Sequence, residues 1–191
     1  MTKSQTSGSP SDKPPMDDGL ELIRRAKQDP GAFEELYRQN VQAIYKYFYN
    51  RTQNQAEAED LTEQTFMAAL EGIQRYRENG VFLAWLFTIA RNKAVDFFRT
   101  NKNLSPLEIP EDIPVHSDFL NDIIQVERQK AIRRIFQTLP EEEKELIRLR
   151  YIADLNFATI GRLLHRSEGS VKKATYRIIH RMRMQLEEKY E

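Results

Sequence analysis

The placement of proline constrains this chain more than any other feature. Pro10, Pro14 and Pro15 lie together near the start, Pro30 stands alone, Pro106, Pro110 and Pro114 recur at every fourth position, and Pro140 stands alone. A proline inside a helix removes a backbone hydrogen bond and clashes with the preceding turn. Long helices are therefore confined to the stretches between the prolines, and 31–105, 115–139 and 141–191 contain none.

Apolar spacing fills those stretches with helices. Leu20 and Ile23 open a short helix that Asp29-Pro30-Gly31 ends. Phe33, Leu36, Tyr37, Val41, Ile44, Tyr45 and Phe48 recur at three- and four-residue steps. A third helix is expected over about 56–76, burying Leu61, Thr65, Phe66, Ala69, Leu70 and Ile73. Asn79-Gly80 marks a turn, and a fourth helix is expected over 81–100. Another runs from 118 to 139, and Pro140 starts the next, whose leading acids Glu141, Glu142 and Glu143 suit a helix N-terminus. Two more split at His165–Ser167. Sustained strand alternation is weak. The expected fold class is all-α: a disordered tail (1–16), a helical domain (17–102), a Pro-rich linker (103–117) and a second helical domain (118–191).

Composition excludes several kinds of function. The chain has no cysteine, so a disulfide framework, a thiolate zinc site and a cysteine nucleophile are all ruled out. His116, His165 and His180 have no metal-ligand spacing. The sequence holds no phosphate-binding G-x-x-x-x-G-K-[ST] loop, no H-E-x-x-H pair and no G-x-S-x-G elbow. A hydrolytic enzyme is thus the weakest of the readings considered, and no metal or cofactor is expected. No apolar run reaches membrane-spanning length and the N-terminus lacks a signal-like apolar core, so the expectation is a cytoplasmic protein without membrane insertion.

Charge is balanced overall, with 29 basic and 29 acidic residues, but it is segregated along the chain. Residues 52–74 carry five acids and no base; 75–102 carry six bases against two acids; 161–185 carry seven bases against Glu168 alone. Local fields of opposite sign suit separate partners on separate faces.

In residues 156–184, NFATIGRLLHRSEGSVKKATYRIIHRMRM, the first helix turns Ile160, Leu163 and Leu164 inward, and Gly161 permits a close approach. His165 falls at a tight turn, where left-handed backbone is often needed. Ser167 is a good N-cap. Val171, Ala174 or Thr175, Ile178 and Met182 form an apolar stripe, opposite Ser170, Lys172, Lys173, Tyr176, Arg177, His180 and Arg181. This reads as a helix-turn-helix with a basic outer face on its second helix, the geometry that enters a major groove. A helical hairpin with a solvated basic face is the plainer alternative.

Residues 139–186 resemble the promoter-reading region 4 of bacterial sigma factors of the extracytoplasmic-function type, through LPEEEKELIRLRY and RSEGSVKKATYRIIHRMR. The family often has Gly where His165 stands and Arg where Ala174 stands. The resemblance implies that Ser170, Lys172, Lys173, Tyr176 and Arg177 face the −35 promoter element.

Residues 31–102 resemble region 2 of the same family. AEAEDLTEQTFMAAL is similar to the helix that docks on the clamp coiled coil of RNA polymerase β′, which implies polymerase contacts by Asp60, Glu63 and Gln64. RYRENGVFLAWLFTIARNKAVDFFRTNK is similar to the segment that melts and reads the −10 element. Rings that stack on bases, amides that read base edges and cations that hold phosphates are what single strands require. The resemblance implies −10 roles for Arg75, Tyr76, Arg77, Asn92, Lys93, Asp96 and Arg99. Trp85, Leu86, Phe87 and Ile89 read as core. The implied partners are core RNA polymerase and promoter DNA, with an anti-sigma protein as a further candidate. The competing reading is a conventional helix-turn-helix regulator with a ligand-binding or dimerising N-terminal domain.

Overall fold

Five of the helix starts among the described residues are set by a polar cap or by proline, whereas the helix that begins at Phe82 follows Val81 without a side-chain cap. The computed structural model describes residues 18–77, 81–101 and 119–188. The expected tail, the Asn79-Gly80 turn and the Pro-rich linker lie outside the described residues. Helix α1 covers Asp18–Ala26 and α2 covers Pro30–Thr52, with Pro30 in its first turn and Asp29 as N-cap accepting the Gly31 amide. Helix α3 covers Gln55–Gly72, capped by Asn54, whose side chain accepts the Glu57 amide at 3.1 Å. The expected extension of α3 to residue 76 tightens instead into a 3₁₀ turn at Ile73–Arg75. Helix α4 covers Phe82–Thr100.

In the C-terminal half, α5 covers Phe119–Thr138 and α6 covers Glu141–Ile147. A π turn at Arg148–Ile152 follows directly. Helix α7 covers Phe157–Leu163, capped by Asn156, and α8 covers Glu168–Glu187, capped by Ser167. The described residues contain no strand. None of their helices is long and apolar enough to cross a membrane.

In the N-terminal half, α2 packs on α1 and α3, and α3 on α4. Ile44, Tyr47, Phe48, Leu86 and Phe87 are fully enclosed there. A fully buried side chain of that size stabilises the fold by roughly 1.5–3 kcal/mol. In the C-terminal half, α8 packs on α5, α6 and α7 around Leu149, Ile160, Val171 and Ile178. The halves also meet: α4 lies against α7, and α2 against the π turn.

Two expected core positions are exposed. Leu70 is 47% accessible because the inward face of α3 follows Leu61, Thr65 and Ala69, four residues apart, and Leu70 falls beside that row with Met67. Tyr37 is 40% accessible, with its ring set edge-on to Phe66 at a centroid distance of 4.7 Å.

Candidate nucleic-acid interface

The helix-turn-helix is fixed by three local devices. His165 has φ 54°, in the left-handed region, and turns the chain between α7 and α8. The Ser167 side chain accepts the Ser170 amide at 3.2 Å and starts α8. A Cβ on Gly161 would lie 2.7 Å from the Arg166 carbonyl oxygen, so only glycine lets α7 run this close to the turn.

Val171, Ala174, Thr175 and Ile178 of α8 are buried against the rest of the C-terminal half. Ser170, Lys172, Lys173, Tyr176, Arg177, His180 and Arg181 are exposed. Tyr176 is anchored edge-on to Phe157, with ring centroids 5.9 Å apart, so its ring is held rather than loose. Arg166 donates to the Ser170 hydroxyl at 3.1 Å, and Arg181 pairs with Glu143 of α6. Ala174 faces inward, so in this chain that position is given to packing.

The second basic surface lies at the start of α4 and the turn before it. Arg75 and Arg77 are exposed, while Tyr76 between them is buried, its ring packed against Trp85 (5.2 Å) and Phe82 (5.8 Å). Along α4, Asn92, Asp96 and Arg99 are exposed and Lys93 is half-buried. Arg99 pairs with Asp96 at 2.9 Å. Leu86 and Phe87 are core, with Trp85 and Ile89 partly buried against it.

Asp60, Glu63 and Gln64 share an exposed face of α3, where Gln64 donates to Asp60 at 2.6 Å. Met67, Ala68, Glu71 and Lys93 complete a shallow depression of about 390 Å³ beside them. This acidic face with an exposed methionine suits a basic, partly apolar partner. Among the described residues no group of three His, Asp or Glu side chains converges to hold a metal.

Residues 36–104 match the family model for sigma-70 region 2, and residues 129–182 match that for sigma-70 region 4. The two matches occur in the family's order and together cover more than half of the chain. The chain belongs to the sigma-70 family.

Its similarity extends to named relatives. It is 31% identical to the ECF RNA polymerase sigma factor BldN of Streptomyces coelicolor over 165 residues, 84% of this chain and 62% of BldN. The chain thus spans somewhat less than two thirds of that relative. It is 29% identical to the ECF RNA polymerase sigma factor SigM of Bacillus subtilis over 154 residues, 78% of this chain and 92% of SigM. The fold is similar to CnrH in its complex with the cytosolic domain of CnrY, with a TM-score of 0.58 and 20% identity over 90% of this chain and 96% of that one. It is also similar to the sigma factor RpoE in its complex with the anti-sigma factor NepR from Bartonella quintana, with a TM-score of 0.56 and 20% identity over 81% and 96% of the two chains. Region 2 stands where the competing reading placed a ligand-binding or dimerising domain.

A cluster that the sequence did not announce lies where region 2 meets region 4. Glu145 of α6 is buried, and its Oε1 accepts from Tyr47 Oη at 3.0 Å and from Arg91 Nε at 2.9 Å. Arg51 donates to Tyr47 Oη at 2.8 Å. Burial, reinforced by the Glu145 charge, holds the Tyr47 phenol above its ordinary range. Burial disfavours the Arg51 charge, but Tyr47 and Glu145 outweigh it and keep that guanidinium above its ordinary value. In the sequence, Glu145 reads as one more acid in a helix-opening run, and Tyr47 as one ring in an aromatic stretch.

Proposed function

We propose that this chain directs RNA polymerase to specific promoters as an initiation factor and performs no chemistry of its own. The observation that carries the reading is the pairing of two different surfaces on one chain. On α8, Lys172, Lys173, Tyr176 and Arg177 stand opposite a buried stripe, on a helix whose front is exposed and capped. That geometry suits the major groove of a duplex −35 element, with Ser170 at the helix front close to the backbone. Around α4, Arg75, Arg77, Asn92, Lys93 and Arg99 combine cations with an amide, next to the rings of Tyr76 and Trp85. That combination suits the separated strand of a −10 element. Asp96 lies on the same face of α4 and steers Arg99.

The acidic face of α3 is the proposed seat of the polymerase, with Asp60, Glu63 and Gln64 facing the β′ clamp coiled coil. Melting then draws on capture of unstacked bases by region 2 and on the polymerase's own grip, so no nucleotide hydrolysis by this chain is required. An anti-sigma protein is the proposed cellular antagonist, by analogy with the RpoE–NepR complex.

The test is reconstitution. The purified chain is added to core RNA polymerase and transcription starts are mapped across bacterial DNA. The reading expects a set of new starts sharing two upstream elements at fixed spacing. Starts identical to those of core polymerase alone would overturn it.

A further inference from the structure

Region 4 carries cations that the proposed promoter contacts leave unused, and they share a cleft with the indole of Trp85 in region 2. We propose that this cleft, between α4 and α7, is a binding site for a free purine nucleotide carrying two or more phosphates, with the base on Trp85 and the phosphates on Arg162 and Arg166. The site does not depend on the promoter function proposed above; only its consequence for the −10 element rests on that reading.

The cleft forms where α4 lies against α7. Its volume of about 1010 Å³ stands at the upper end of the range for small-ligand sites, roughly 300–1,000 Å³. One wall is Arg75, Arg77 and Trp85, from the start of α4 and the turn before it. The other is Arg162, His165 and Arg166, from the end of α7 and the turn after it. Among the described residues, Glu168 is the single acid that lines the cleft. Arg75, Arg77 and Arg162 form no ion pair with a described residue, and Arg166 donates to the Ser170 hydroxyl rather than to an acid. Four guanidinium groups against one carboxylate, between low-dielectric walls, concentrate a positive field inside the cleft. A guanidinium fork matches phosphate oxygens in pairs.

Trp85 supplies what a plain anion does not need. Its ring is held by Tyr76 at 5.2 Å and Phe82 at 5.6 Å, and a Cβ on Gly72 would lie 3.2 Å from its Cζ2, so the benzo edge rests close to the Gly72 backbone. The indole is nonetheless only half-buried, and it lines the cleft together with the apolar side chains of Val81, Ala84 and Leu163. A fixed aromatic plane beside apolar groups, in one cleft with guanidinium groups, suits a flat base joined to phosphates.

The cleft shares Arg75, Tyr76 and Arg77 with the surface proposed for the −10 strand, and none of the α8 residues proposed for the −35 element. A bound nucleotide therefore withholds region 2 cations from single-stranded DNA and leaves Lys172, Lys173, Tyr176 and Arg177 uncovered. On the promoter reading, nucleotide supply then sets how many molecules are free to open DNA.

Trp85 is the chain's single tryptophan, so tryptophan emission reports on the cleft directly. The full-length free protein is titrated with ADP, GDP, adenosine, inorganic pyrophosphate and a short oligothymidylate, followed by fluorescence excited at the red edge of the indole band and by calorimetry on the same samples. ADP or GDP should quench the emission saturably and bind at least about tenfold more tightly than adenosine or pyrophosphate, each of which lacks one half of the contacts. Arg162→Gln with Arg166→Gln, both at exposed positions, should weaken the nucleotide by about tenfold or more, while circular dichroism shows unchanged helix content. No saturable nucleotide binding by either method, or equal affinity in the double variant, would overturn the site. Pyrophosphate as tight as ADP would overturn the nucleotide assignment, and binding of the oligothymidylate alone would give the cleft to the −10 strand instead. A start-site map without new promoters would contradict the promoter function and leave this titration unaffected.

Discussion

The Arg166 amide donates to the Gly161 carbonyl across 2.8 Å, and a Cβ on Gly161 would stand 2.7 Å from the Arg166 carbonyl oxygen. The turn of the helix-turn-helix is therefore closed onto α7 by backbone alone. Gly161→Ala should force the turn away and cost about 1–3 kcal/mol, read as a lower unfolding midpoint. His165, at φ 54°, tests the other side of the turn. His165→Gly should lie within ~1 kcal/mol of wild type, since relief of left-handed strain offsets the greater freedom of the unfolded chain. His165→Val should be clearly destabilised, because a β-branched residue resists that backbone. Thermal unfolding of the three variants gives the order directly.

Much of this region was legible in the sequence. Gly161, His165, Ser167 and the Val171–Ile178 stripe act within a few residues of one another, and local spacing reports local geometry. The helix limits at Pro30 and Pro140 were legible for the same reason. Leu70 was misplaced because α3 carries more apolar residues than its inward row can use, and periodicity alone could not choose between neighbouring rows. The Glu145 cluster was not legible at all. Tyr47 and Glu145 are separated by 98 residues and Arg91 and Glu145 by 54, so their pairing follows from how the two regions meet and leaves no local pattern.

For the acidic face of α3, the expectation is loss of a partner without loss of fold. Asp60→Lys with Glu63→Lys reverses two exposed charges, and each change should move stability by about 0.5 kcal/mol or less. Capture of the variant by immobilised core polymerase should fall to background while its unfolding midpoint stays near wild type. Undiminished capture would remove this face from the account.

Asn92 and Tyr76 separate a contact from a support. Asn92 is exposed on α4, so Asn92→Ala should slow promoter opening and leave stability and polymerase binding unchanged. Tyr76 is 6% exposed and wedged between Phe82 and Trp85, so Tyr76→Ala should also destabilise region 2, by roughly 3 kcal/mol or more. Tyr76→Phe keeps the packing and is the cleaner probe of the hydroxyl. Opening is followed by permanganate reactivity of thymines in linear promoter DNA.

The central claim is that α8 reads sequence rather than merely gripping DNA, and a randomised −35 library transcribed at two salt concentrations tests it most directly. A base-reading residue should cost roughly 1–3 kcal/mol when removed and relax the choice at one position. A phosphate-binding residue should weaken all promoters alike and lower the salt slope by about one unit. The account predicts that Lys173→Ala and Arg177→Ala change which −35 sequences are selected, and that Arg183→Ala, further along α8, changes only strength. If the Lys173 and Arg177 variants keep the wild-type preference and merely lose strength, α8 holds DNA without reading it and the account is contradicted.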